Sequence, residues 1–210
     1  MAQTRPLLAE ASAEDARARM IRAGRAAFAA VGFEGASTRQ IAGAADVAQS
    51  LLLYHFGSKE GLWRAVMDDV FAGVNARMTH TQSALRGASP GGRLMVLVRV
   101  FIDMCAEDAD LHRIMSFEGR TPSERLEWLV DHHLRANYRE TCALIRRGQD
   151  AGEVRPGDPT LLYYSFIAIA GVAFSLAPEI ALVSGDTSAV DPQAVEDLIR
   201  SMLLVKPAQA

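Results

Sequence analysis

Between positions 38 and 59 the chain gathers Thr38, Arg39, Gln49, Ser50, Tyr54, His55 and Lys59. Their chemistry is hydrogen bonding to fixed partners, not bond making. Gln49 carries a carboxamide, whose adjacent donor and acceptor match the edge that a base shows in the major groove of a duplex. Ser50 is small and permits close approach. Thr38, Tyr54, His55 and Lys59 offer hydroxyl, imidazole and ammonium groups suited to phosphate oxygens on either side. The sequence assembles no nucleophile with a base and an orienting partner. It has no phosphate-cradling glycine loop and no metal-ligand spacing. No catalytic residue is assigned, no cofactor is implied, and an enzyme is not expected.

Such side chains need elements that fix their spacing, and the flanking residues supply them. Ser37 stands at a helix start with Gln40 three positions on, the Ser-x-x-Gln pattern of a capping box. It predicts a short helix from Thr38 to Ala45, with Ile41 and either Ala44 or Ala45 facing inward. Asp46-Val47-Ala48 makes the turn, with Val47 as a buried anchor. A second short helix runs from Gln49 to His55. Helical spacing sets Gln49, Ser50, Leu53 and Tyr54 on one face and Leu52 opposite, toward the core. Ser58 caps a third helix, whose first turn holds Lys59 and whose free N–H groups add positive potential. Before the motif, a helix from Ala13 to Val31 turns Ile21, Gly24, Phe28 and Val31 inward, and Gly32 follows at a C-terminal cap. This is a helix-turn-helix.

The rest of the chain reads as further helices, so the fold class is all-α. They are expected at 58–85, 93–106, 109–119, 121–150, 160–177 and 192–204. GASPGG (87–92), AGEVRPGDP (151–159) and SGDTS (184–188) are loops. Pro122 is expected early in its helix, where its missing N–H does no harm. Residues 159–178 carry no charge and are long enough to span a bilayer. Their Ala, Gly and Ser content and acidic flanks argue for burial against a partner subunit instead, with no membrane involved. Cys105 and Cys142 are expected to be reduced core thiols. Residues 1–60 hold seven Lys and Arg against six Asp and Glu, and the remainder fifteen against nineteen. A weakly basic head on an acidic body suits a local contact with nucleic acid. The N-terminus has no apolar signal region, so the expected location is cytoplasmic.

Gly32-Phe33, Ser37-Thr38-x-x-Ile41-Ala42, Val47, Leu52 and Tyr54-His55-Phe56-x-x-Lys59-x-x-Leu62 resemble the N-terminal signature of the tetracycline-repressor-like (TetR/AcrR) regulators. The match runs without a gap from Ile21 past Trp63. The resemblance implies a three-helix DNA-binding domain, then a helical ligand-binding and dimerisation domain. The corresponding ranges are a disordered arm at 1–12, the DNA-binding domain at 13–60 and the helical body at 61–210. It also implies DNA contacts at Thr38, Arg39, Gln49, Ser50, Leu51, Leu53, Tyr54, His55 and Lys59. Four positions depart from the pattern. Asp46 stands where glycine is common, Ala48 where Ser or Thr caps, and Leu51 and Leu53 where polar or aromatic contacts are usual. Base reading then rests on Gln49, with Arg39 helping.

The resemblance further implies a homodimer on double-stranded DNA, released by a small, largely apolar effector. Phe101, Met104, Met115, Phe117, Trp128, Tyr138 and Phe166 are candidates for the effector wall, since Met and aromatic residues adapt to apolar ligands. Ile167, Ala170, Gly171, Phe174, Leu198, Ile199 and Met202 are candidates for the subunit interface. Asp131-His132-His133, with His112 and Asp103, lacks metal-ligand spacing, and no metal site is assigned. A ligand-responsive repressor of an inverted-repeat operator is the expected function; a helical scaffold or an enzyme without DNA binding is the alternative.

Overall fold

Ala, Leu and Arg are the commonest residues, and the described backbone is helical nearly throughout. The structure is a computed structural model that describes residues 4–85, 87–186 and 190–205. It divides into two units, residues 1–72 with 113–121, and residues 73–112 with 122–210.

The first unit begins with α1, Thr4–Gly35, which breaks at Gly32. Its backbone is helical over 4–12, where the sequence suggests a disordered arm; residues 1–3 of that arm lie outside the described residues. Then come α2 (Thr38–Ala44), α3 (Gln49–Phe56) and α4 (Lys59–Ala84), which continues from residue 73 into the second unit. Met20, Phe28, Ile41, Leu52, Leu62, Trp63 and Met67 close the core and are fully buried. Each such side chain contributes about 1.5–3 kcal/mol on burial. Val31, expected inside, is exposed, because the break at Gly32 ends the helical stripe one turn earlier. Gly32 takes φ 69° and ψ 179°, a region essentially closed to residues with a side chain. A Cβ there would also lie 3.1 Å from the ring of Phe117.

The second unit holds α5 (Pro90–Glu107), α7 (Glu124–Leu129), a π-helical stretch (Val130–Leu134), α8 (Arg135–Asp150), α9 (Pro159–Ser175), α10 (Ala177–Ser184) and α11 (Pro192–Leu203). Helix α6, Asp110–Glu118, begins in this unit and ends in the first. Three of these helices start with an acceptor cap followed by proline. Ser89 accepts from Gly92 N–H, Asp158 from Thr160 N–H, and Asp191 from Gln193 and Ala194 N–H. Proline at the next position loses no bond, because that N–H is unpaired in any helix. Pro122, by contrast, lies ahead of its helix, which Ser123 caps through Leu126 N–H at 3.1 Å.

The core of this unit joins Leu94, Val98 and Ile102 of α5 to Ile145 of α8, Phe166 and Ala170 of α9, and Val195, Ile199 and Leu203 of α11. A charge network around the buried Glu196 lies between α5 and α11. Glu196 accepts from Arg99 at 3.0 Å and from Arg200 at 2.6 Å. Burial alone would raise the Glu196 carboxyl, but the two guanidinium groups outweigh it and hold the group below its ordinary range. The end of α11 is stitched to the loop after α8. Arg155 N–H donates to Leu203 O and Val205 N–H to Glu153 O, around an antiparallel bridge between Val154 and Leu204. The Glu153 carboxylate reaches on to Gly91 N–H at the start of α5, 2.6 Å away.

Among the described residues no single helix is long and apolar enough to cross a membrane. The uncharged segment is bent by 69° where α9 meets α10.

Gly61 marks the tightest approach in the first unit: a Cβ on it would lie 2.0 Å from the carbonyl oxygen of Phe56. Gly61→Ala must push the start of α4 away from the end of α3. A loss of about 3 kcal/mol is expected, the upper end for overpacking a closed site, measured by urea unfolding. An unchanged midpoint would show that the two helix ends are free to part.

Candidate nucleic-acid interface

Helix α3 buries one residue and exposes most of the rest. Leu52 is fully buried, whereas Gln49, Ser50, Leu51, Leu53 and Tyr54 are exposed, Tyr54 to 83%. That is the face the spacing predicts. The turn before it needs a left-handed residue, and Asp46 provides it at φ 53°, the one positive-φ non-glycine among the described residues. Aspartate tolerates this better than most side chains. Ala48 occupies the cap position of α3 and offers no side-chain acceptor. Ser37 sits in extended conformation at the cap of α2, yet its hydroxyl makes no capping bond, so the capping box is not formed. Arg19 instead secures the far end of α2, its Nε donating to Ala45 O at 3.1 Å.

The proposed reading residues are held unequally. Thr38 and Arg39 open α2, and Arg39 is exposed. Gln49 is tied across the turn: its Nε2 donates to Thr38 Oγ1 at 3.0 Å. His55 is half-buried between the rings of Tyr54 and Phe56, with centroids 5.6 and 6.2 Å away. Ser58 caps α4 through Gly61 N–H at 3.0 Å.

Lys59 is engaged within the protein. Its ammonium donates to Phe33 O at 2.9 Å, to Ala36 O at 3.1 Å and, more weakly, to Glu34 O at 3.5 Å. It also lies 4.4 Å from the centre of the Phe33 ring. Three carbonyls and an aromatic face therefore take up the group that the sequence assigns to a phosphate. The sequence ends this helix at Gly32, but it gives no sign that the carbonyls beyond the break turn toward Lys59.

The effector candidates fall into four places. Phe101, Phe166 and Tyr138 belong to one aromatic run, joined by Tyr163, which the sequence reading omitted. Ring centroids are 6.2 Å for Phe101–Phe166, 5.4 Å for Tyr163–Phe166 and 5.3 Å for Tyr138–Tyr163. Tyr138 and Thr160 share a hydroxyl–hydroxyl bond of 2.8 Å. Burial pushes the Tyr163 phenol up to about 12, so it stays protonated. Trp128 lies on the π-helical stretch side, stacked on His132 at 4.7 Å and edge-on to His133 at 5.2 Å. Met104 is half-buried on α5. Met115 and Phe117 belong with the first unit, where Phe117 lies over Gly32.

The interface candidates also divide. Ala170, Gly171 and Ile199 are buried in the unit's own core and cannot meet a partner. Gly171 is small because His112 covers it; a Cβ would lie 2.0 Å from Nδ1. Burial there lowers the His112 pKa, favouring the neutral ring. Ile167, Phe174 and Met202 are half-buried, and Leu198 is exposed. The outward stripe of α9 is Leu161, Tyr164, Ala168 and Val172, at steps of three and four. Cys105 and Cys142 are free, buried thiols. Burial raises the Cys105 thiol to about 12. Among the described residues no group of three His, Cys, Asp or Glu side chains could hold a metal ion.

Residues 20–66 match the family model described as bacterial regulatory proteins, tetR family. The HTH-type transcriptional regulator RutR of Escherichia coli K12 is 26% identical over 160 residues, covering 76% of this chain and 74% of that protein. Two solved structures share the fold. The hemolysin II transcriptional regulator HlyIIR superposes with a TM-score of 0.73 at 18% identity, covering 92% of this chain and 99% of that one. The ketosteroid transcriptional regulator KstR2 of Mycobacterium tuberculosis superposes with a TM-score of 0.71 at 18% identity, covering 90% and 95%.

Lys59→Met tests the role of the ammonium. Removing charge-assisted bonds to helix-end carbonyls should cost about 2 kcal/mol of stability, read from chemical denaturation. The slope of log binding constant against log salt should stay as in the parent. A slope smaller by about one would instead mark Lys59 as a phosphate contact.

Proposed function

We propose that this chain, which belongs to the tetR family of bacterial regulatory proteins, is a cytoplasmic homodimeric repressor that leaves its operator when a small effector binds. It is a DNA-binding transcriptional regulator; the form of its operator and the manner of release are the proposal. The observation that carries it is the division of α3, with Leu52 locked in the core and Gln49, Ser50, Leu51, Leu53 and Tyr54 turned outward. This division lies inside the stretch that matches the family. A recognition helix in the major groove needs that division, because its inner residues fix its depth and its outer ones meet base edges.

Each part has a role. Gln49 reads a base, Ser50 allows close approach, and Leu51 and Leu53 touch thymine methyl groups. Thr38, Arg39, Tyr54 and His55 flank it and hold the backbone. A second copy of the chain covers the outward stripe of α9 together with the exposed Leu198 of α11. Two-fold symmetry then demands an inverted repeat, with half-sites about 34 Å or a multiple apart. The aromatic run from Phe101 to Tyr138, with Met104 and Trp128, forms the wall for a largely apolar effector. Release follows from that effector's differential affinity for the two states of the dimer.

Labelled duplex from immediately upstream of the coding sequence should shift in a gel at nanomolar protein, against excess random duplex, and footprint as an inverted repeat. Gln49→Ala should relax the preference at one base pair in each half-site. Absence of any shift beyond that of random duplex would sink the reading. Val172→Asp places a charge on the outward stripe of α9. It should sediment as a monomer and bind the operator far more weakly; a dimer of parental stability would exclude this face as the interface.

A further inference from the structure

The hydrogen bond between Gln49 and Thr38 does more than join two helices. Gln49 is exposed, and an exposed glutamine ordinarily samples many rotamers. Here Nε2 donates one of its two hydrogens to Thr38 Oγ1 at 3.0 Å. Oε1 and the second amide hydrogen remain to pair with a base. Adenine presents N7 as an acceptor and N6 as a donor, side by side in the major groove. The free half of the Gln49 amide is the complement of that pair. Guanine offers two acceptors on the same edge, and Oε1 would face one of them. Thr38 Oγ1, in accepting from Gln49, keeps its own hydroxyl hydrogen for a phosphate oxygen.

We propose that Thr38 is a positioning residue for base reading. Its hydroxyl links the Gln49 amide to the DNA backbone and commits Gln49 to adenine at one base pair of each half-site. This rests on the reading of α3 as the recognition helix. The chain of bonds runs from adenine to the Gln49 amide, to the Thr38 hydroxyl, to phosphate. Sequence choice and register on the duplex are therefore set by one connected group. Leu51 and Leu53, beside it, offer no hydrogen bond that could compensate for its loss.

The test is binding-site selection from randomised duplexes, with the full chain and with the variants Thr38→Val, Thr38→Ser, Gln49→Ala and the double variant Thr38→Val/Gln49→Ala. The parent should select adenine at one position of each half-site. Thr38→Val keeps the shape of the side chain and loses the hydroxyl. It should reduce that preference by about tenfold, the scale of one good bidentate pair. Its melting temperature and salt slope should stay as in the parent. Thr38→Ser should keep the preference, and the double variant should lose no more of it than Gln49→Ala alone. Thr38→Ala takes the place of the valine variant if the latter does not fold. A Thr38→Val protein with undiminished adenine preference, or a parent that selects another base where Gln49→Ala acts, overturns the proposal. A parent that selects no sequence at all removes the DNA reading itself, and this inference with it.

Discussion

One ammonium group holds the end of a broken helix. Where α1 breaks at Gly32, carbonyl groups at its C-terminal end lose their helical partners, and such groups must be satisfied by something else. Lys59 donates to Phe33 and Ala36 and lies against the Phe33 ring. A cation also suits the negative end of a helix dipole. Because Lys59 is the first residue of α4, the bond fixes the start of α4 to the end of α1 and to the entry of α2. Helix α3 is then defined from both ends, by the turn at Asp46 and by the cap at Ser58.

The same head is fitted by close contact as well as by charge. Gly32 leaves room for Phe117, and Gly61 lets α4 begin directly against the last turn of α3. Leu52 anchors the middle of α3. With its ends and its inner face fixed, the outer face of α3 has little freedom to shift, which is the requirement for reading a base edge to a fraction of an ångström. The second unit works differently. Its core mixes aliphatic residues with Phe166, the buried Glu196 carboxylate is held by two arginines, and aromatic residues run from α5 through α9 to α8.

What could be read from the sequence was what local rules decide. Helical periodicity fixed Leu52 as core and Gln49, Ser50, Leu53 and Tyr54 as surface. The strained turn at Asp46 and the bare cap at Ala48 follow from where these residues stand in the family pattern. What was not legible depends on contacts far apart in the chain. Lys59 looks like a phosphate ligand until the Gly32 break brings carbonyls to it. Gly171 and Ala170 look like surface for a partner until His112 and the α5 core cover them. The π-helical stretch at Val130–Leu134 gives no sign in composition, since it alters only which carbonyl each N–H meets. Tyr163 was passed over because an aromatic residue in an uncharged helix has no direction until its neighbours are known.

The stitch between the loop after α8 and the end of α11 bears on how this unit opens. Two backbone hydrogen bonds and the Glu153 carboxylate tie together three segments far apart in sequence: the start of α5, residues 153–155 and residues 203–205. Helix ends ordinarily fray first, each at its own low cost. Here the last turn of α11 cannot fray without releasing the loop, and releasing the loop frees the α5 cap. The amide hydrogens of Arg155, Val205 and Gly91 should therefore exchange with solvent together, as members of one cooperative opening unit.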